Sequence, residues 1–438
     1  MEKHYRNHER GAAIITAVIF FVIISTTMAL GLSSPVVREY VTTRDFEKSK
    51  GAYYLSEAGS EDALYRIKKG KAIGAQEILA LGGNTATTTI TDVSAAEKLI
   101  SSIGDILTNT RRVKSKLTTT SGVSFSYGVQ SGDGGVVMLN SATINGNLFS
   151  NGPITGNGNL ITGTVISPGK STGGTGSITN IHSNGSMYAN SIASSIIGGT
   201  PYCNTITGST PNSCTALPAQ TPGTMPITQA QITQWEADAV AGGTITCTGN
   251  TYTINTTVNL GPTKIVGPGN TVCNLTINGN AVVTLGGTIW VTGNIDIKSN
   301  AQLKVSASLP GQSITLIADN LADRLNSSKV GIENNAVFTG AGSGSYVMLL
   351  GQNDGASRTP PQLTEAIEVE DKVLGSLLVY AGLGDIRIKG QAALKEVTGY
   401  KITLSDTANI TYDSGLANTV FTSGPGGSWV ISDWKEGQ

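Results

Sequence analysis

Two regimes of hydrophobic pattern divide this chain. From Gly11 to Val37 no residue is charged. Residues 12–34 are apolar enough, at roughly 20 residues, to cross a bilayer as a helix. Lys3, Arg6 and Arg10 precede the run and no cation follows until Arg38, which predicts the N-terminus inside and the bulk outside. A cleaved secretory signal would be shorter and end at a small-x-small site. Here the helical period continues past Pro35 through Val37, Tyr40, Val41, Ala52, Leu55, Gly59, Ala63 and Ile67. Charges on the other face make this second half amphipathic, with Gly70 and Gly74 as stop signals.

Residues 75–118 read as mixed. Glu97 to Leu107, with Ile100, Ile103 and Ile106, reads as a second short helix. Arg112, Lys114 and Lys116 alternate as the outward face of a solvated strand. From about Val123 the pattern becomes short β-branched beats ended by Asn or Gly, the residues that corners need. Corners every few residues suit a parallel β-helix. Asn280 to Leu285 is echoed by Asn300 to Val305, with three beats per interval, and more loosely at Asn335 and Asn409. Asn280, Asn300 and Asn335 are placed to stack as a hydrogen-bonded ladder. Residues 200–243 interrupt the beats with a Cys- and Pro-rich excursion and a helix capped by Thr228 and stopped by Gly242-Gly243. Trp429 and Trp434, beside a glycine turn, are expected to cap the solenoid end.

Composition narrows this picture. Glycine is abundant at 55 residues while charged residues are 13%, which favours strands and turns over disorder. A net charge of −1 gives no reason to expect nucleic acid as a partner. Cys203, Cys214, Cys247 and Cys273 form no CxxC pair, so no metal site is expected, and an oxidising, extracytoplasmic setting fits them better. Cys203–Cys214 and Cys247–Cys273 would be local closures, but three connectivities remain open.

The segment Arg10-Gly11-Ala12-Ala13-Ile14-Ile15-Thr16 resembles the class III signal of type IV pilins and pseudopilins, and is most similar to the PilX-like minor pilins. Tyr53 to Leu64 is similar to the segment that follows the membrane helix in those proteins. The resemblance covers roughly residues 10–68. It implies a prepilin peptidase that cuts between Gly11 and Ala12, and packing of the helix among other pilin-like subunits. Major pilins carry Glu at the fifth mature position, where this chain has Thr16. That departure implies a minor, tip-located or anchored subunit. The remainder resembles bactofilin-like β-helix domains in texture.

An enzyme on such a scaffold would act on polysaccharide. Asp319, Asp323, Arg324 and Lys329 are the lyase candidates, with Asp319 and Asp323 on one helix face and Arg324 off it. Glu365, Glu368, Glu370 and Asp371 form one acidic run rather than the opposed pair a glycosidase needs. His182 stands alone among Asn, Ser and Gly. No catalytic residue and no cofactor is assigned.

The expected fold is mainly β, with a long N-terminal α-helix (transmembrane plus amphipathic stem) followed by a right-handed-type parallel β-helix. The boundaries are a leader at 1–11, a pilin-like helix at 12–70 with its span about 12–34, and a mixed α/β connector at 71–122. A first β-helix segment covers 123–199, the insertion 200–243, and a second, capped β-helix segment 244–438. The expected function is that of a structural envelope protein, anchored in the inner membrane by a single span and displaying its solenoid outside, with a surface glycan as candidate ligand. The alternative is a membrane-tethered lyase or glycosidase.

Overall fold

The apolar run forms the helix it predicts. The computed structural model describes residues 8–68, 73–94, 97–119, 122–123, 125–362, 364–413, 415–416, 419–421 and 429–437. Helix α1 (His8–Lys68) runs unbroken through Pro35. Its most apolar window has a mean hydropathy of 2.5 and is long enough for one membrane crossing. Gly74 lies beyond its end, and Gly70 is outside the described residues.

The chain divides into two compact units. In the first, α1 packs on an antiparallel sheet of β1 (Gln76–Leu81), β2 (Asn84–Ser94), β3 (Glu97–Ile106), β4 (Asn109–Thr119) and, beside β4, the last strand, Trp429–Gly437. The expected helix at Glu97–Leu107 is therefore a strand. Two-residue turns close the hairpins at Gly82-Gly83 and at Leu107-Thr108, all four residues with positive φ. Pairing with β2 and β4 overrides the helical spacing of Ile100, Ile103 and Ile106. Arg112, Lys114 and Lys116 do face outward, with Val113, Ser115 and Leu117 buried between them. The last strand, expected to cap the solenoid, instead completes this sheet. Trp434 is half-buried there, and the side chain of Trp429 lies outside the described residues.

The helix–sheet contact is made of small residues. Ala52, Ser56, Gly59, Ser60 and Ala63 are buried against Ala86, Thr88, Ser102 and Ser115. A Cβ at Gly59 would stand 2.6 Å from Ser102 Oγ, and one at Gly104 would overlap the Ala52 carbonyl. Ser60 and Ser115 hydroxyls meet at 3.3 Å, and Thr88 donates to Ser102 at 3.0 Å.

The second unit is a stack of parallel strands. Inward residues form continuous apolar ladders such as Ile277, Ile297, Ile332, Val369 and Ile388. Val282 pairs with Gln302, which realises the twenty-residue echo. Asn300 donates to Asn280 at 3.2 Å and Asn335 to Asn300 at 3.5 Å, forming the expected ladder.

Chain order and stack order differ. Along the axis the coils run 244–260, 263–285, 289–305, 314–339, 347–375, 377–394 and 396–411. The next coil is not a continuation of the chain but 129–145, followed by 148–161, 165–183, 187–197 and 201–207. Leu404 pairs with Met138 and Ile410 with Ile144, so the core ladder crosses the chain break in register. The chain enters and leaves this unit at its middle. Gly122-Val123 and Thr419-Val420 pair antiparallel there.

Residues 208–243 carry the chain from one end of the stack to the other. Part of the expected 200–243 insertion is solenoid, since Pro201–Tyr202 and Thr205–Thr207 pair with the previous coil. The cysteines pair as Cys203–Cys214 and Cys247–Cys273, with Cα separations of 5.2 and 6.3 Å. Helix α2 (Gln229–Ala241) has Thr228 as N-cap in a capping box with Gln231, and Gly242 as C-cap.

Candidate functional site

A cluster of buried charge lies where α2 crosses the solenoid. Lys264, Trp290, Ile317, Leu350 and Tyr380 stand in one outward row, in register over successive coils. Outward apolar residues need a cover. Ile232, Trp235 and Ala239 of α2 supply it, joined by Phe125, Leu416 and Phe421.

Asp319 follows the strand Gln312–Ala318 and is fully buried. Arg324 donates to both its oxygens, Nε to Oδ1 at 2.9 Å and Nη2 to Oδ2 at 2.6 Å. The Asp319 carbonyl accepts from Trp290 Nε1 at 3.0 Å, and Lys264 Nζ lies 4.2 Å from the Trp290 ring centroid. Glu236 reaches this cluster from α2 and is 5% exposed. Burial, together with the neighbouring Asp319 carboxylate, pushes its carboxyl up to about 8. A cleft of about 340 Å³ opens alongside, lined by Lys264, Asn270, Thr271, Trp290, Thr292 and Asn320 among others.

The sequence-derived candidates are dispersed. The stretch at 319–329 is a loop, not a helix, so Asp319 and Asp323 do not share a face. Asp319 and Arg324, expected apart, are the pair that meets. Asp323 is exposed and accepts from Asn326 at 3.1 Å, which holds its carboxyl below the usual range. Lys329 contributes its main chain, accepting from Ile295 N at 2.9 Å. Glu365 pairs with Arg387, while Glu368 and Glu370 both meet Lys389, as cross-coil ion pairs. His182 is half-buried on the strand Ser177–Ser183.

Chemically, this arrangement fixes rather than reacts. Asp319 is held by a bidentate guanidinium, which takes one lone pair of each oxygen and fixes the carboxylate in place. Among the described residues no group of three His, Cys, Asp or Glu is placed to hold a metal ion. Glu236 is not among the sequence-derived candidates, although its shared spacing with Ile232, Trp235 and Ala239, which sets a carboxylate on the apolar face of a helix, is the signal that could have found it. Lys264 and Trp290 had no such signal, because their meeting depends on coil register. At the N-terminus, Gly11 and Ala12 lie within α1, and Thr16 is exposed.

No protein-family model matches this chain, and no curated protein matches it. Among solved structures, the chain aligns with the crystal structure of the competence-associated pilin ComZ from Thermus thermophilus. The alignment covers 89% of this chain and 97% of that one at 11% identity, with a TM-score of 0.27. At that score the alignment does not establish a shared fold.

Proposed function

We propose that this protein is a pilin-like subunit of the bacterial cell envelope that displays its solenoid outside the membrane. The observation that carries this reading is the length of exposed apolar helix. Every described side chain from Ala13 to Glu47 is exposed, including Val36, Val37, Tyr40, Val41 and Phe46. From Ile14 to Phe46 the exposed helix is about 50 Å long at 1.5 Å per residue, against a hydrocarbon core of about 30 Å, and after Val37 its apolar residues stand among Arg38, Glu39, Arg44 and Asp45. A plain anchor needs no apolar residues beyond the bilayer. A helix that packs among the helices of other pilin-like subunits does.

Processing by a prepilin peptidase between Gly11 and Ala12 fits the same reading. Thr16 in place of Glu favours a minor subunit, since a buried carboxylate without its ammonium partner would be costly. For the displayed solenoid the ligand class we favour is a surface glycan, and a glycan array probed with the full chain tests that part separately.

Mass spectrometry of the mature N-terminus is the decisive test of the pilin-like reading. The expected chain begins at Ala12. An intact Met1, or a cut near Pro35, overturns the proposal.

A further inference from the structure

The return of the chain along the solenoid is held by neutral contacts at most points. Asn151 Nδ2 donates to the Gly223 carbonyl at 2.9 Å, Gln130 Nε2 to that of Thr224 at 2.9 Å, and Tyr380 Oη to that of Ile227 at 2.7 Å. These bonds hang residues 223–227 across successive coils. Helix α2 follows and seats Trp235 against Phe421, ring centroids 5.2 Å apart.

Glu236 breaks this pattern. It is buried on the seated face of α2, and its Oε1 has no hydrogen-bond partner. Its carboxyl is within hydrogen-bonding reach of the Asp319 carboxylate. Two carboxyl groups bond only with a proton between them. The charged groups that face Glu236 are Asp319, Arg324 and Lys264. Arg324 is committed to both oxygens of Asp319, and Lys264 lies over Trp290. Neither cation is placed to replace the proton.

We propose that α2 is a proton-held clasp: it closes over the solenoid while Glu236 shares a proton with Asp319, and loosens when that proton passes to solvent. Loosening leaves two buried carboxylates facing each other and uncovers the apolar row of Trp290, Ile317, Leu350 and Tyr380. Burial keeps the proton on the closed clasp up to about pH 8, so the clasp weakens steadily as pH rises toward that value. Glu396 is a second buried acid beneath the same cover, beside Tyr380 and Tyr412, and bonds Thr398. It serves as the internal control.

Hydrogen–deuterium exchange on the full chain in detergent, corrected for the intrinsic rate, tests the clasp. Protection of residues 229–241 is expected to fall about tenfold per unit between about pH 5 and 8, the slope of one linked proton, and to level off above that, where closed and open states have both lost it. Glu236→Gln, which keeps a donor to Asp319 but cannot ionise, should give a flat profile. Glu396→Gln should follow the wild type. Flat protection in the wild type between about pH 5 and 8, a fall retained in Glu236→Gln, or a fall abolished by Glu396→Gln overturns the proposal. Limited proteolysis of the wild type adds an arm without substitutions. Cuts within 216–228 must rise between about pH 5 and 8, and equal cutting at those two values sinks the clasp.

Discussion

Single carboxylates in this molecule have opposite fates, and burial alone does not decide which. Asp133 and Glu236 are both largely buried. Burial opposes ionisation of Asp133, but Ser171 and Thr172 outweigh it by donating both main-chain N–H and hydroxyl groups at 2.7 to 3.2 Å, so its carboxyl titrates below the ordinary range. Its stabilising contribution is present above the unfolded value and is lost as pH falls through the depressed one. Asp133→Ala should cost about 1–3 kcal/mol and free the loop at 168–174, seen as faster amide exchange there. Glu236 has the reverse sign. Its ordinary value is 4.5 and its folded one about 8. Its contribution is therefore complete below pH 4.5 and lost as pH rises to about 8, at roughly 1.4 kcal/mol per unit. Denaturant midpoints of Glu236→Gln against wild type should diverge over that window.

Asp319 and Asp323 make a sharper contrast, since sequence reading treated them alike. Asp319→Ala would leave the Arg324 guanidinium, which is 21% exposed, without its bidentate partner, and should destabilise the solenoid by about 3 kcal/mol. Asp323→Ala lies on an exposed loop and should change the unfolding midpoint within error. Equal losses from both would contradict the structural role assigned to Asp319.

At the scale of elements, the seam between α1 and its sheet is set by residues without bulk. Glycine at position 104 admits the Ala52 carbonyl where a side chain would stand. Gly104→Ala should force α1 away from β3 and cost about 1–3 kcal/mol, measurable as selective loss of amide protection in β2, β3 and β4. The end coils depend on covalent closure instead. Cys203–Cys214 spans 11 residues at one end of the stack, where the outer side of the coil is paired only by the single bridge of Tyr202 to Thr215 among the described residues. Cys203→Ser with Cys214→Ser should cost about 2–3 kcal/mol locally, appearing as exchange confined to the coil at 201–215.

At the scale of the whole molecule, the break in the solenoid has a testable consequence. Gly128 and Tyr412 are neighbours: a Cβ at Gly128 would lie 3.3 Å from that of Tyr412. A chain reordered to run 216–412, a short linker, then 128–215 therefore keeps every coil pairing and the return strap. It should fold as a separate unit with both disulfides formed and one cooperative melt. Failure to fold would show that the entry and exit strands, Gly122-Val123 and Thr419–Phe421, are needed to bring the two half-stacks together.

The sequence by itself determined whatever depends on neighbours along the chain. The apolar rod through Pro35, the capping box at Thr228, the outward alternation of Arg112, Lys114 and Lys116, and the corner asparagines at 280, 300 and 335 are each fixed by local period or local hydrogen bonding. The mainly β class follows from the same beats. Tertiary structure decided everything that rests on which strand lies beside which. Glu97–Ile106 became a strand because β2 and β4 pair with it on both sides, β4 through the turn at Leu107-Thr108, where no glycine marks the turn. The last strand joined the first unit, not the solenoid end, because β4 presented a free edge to it. The stack order, with 396–411 beside 129–145, is invisible along the chain, because parallel coils pair through register rather than proximity in sequence. The cluster of Glu236, Asp319, Arg324, Lys264 and Trp290 exists only through that register, which is why composition and spacing pointed to Asp319 but not to the helix that covers it.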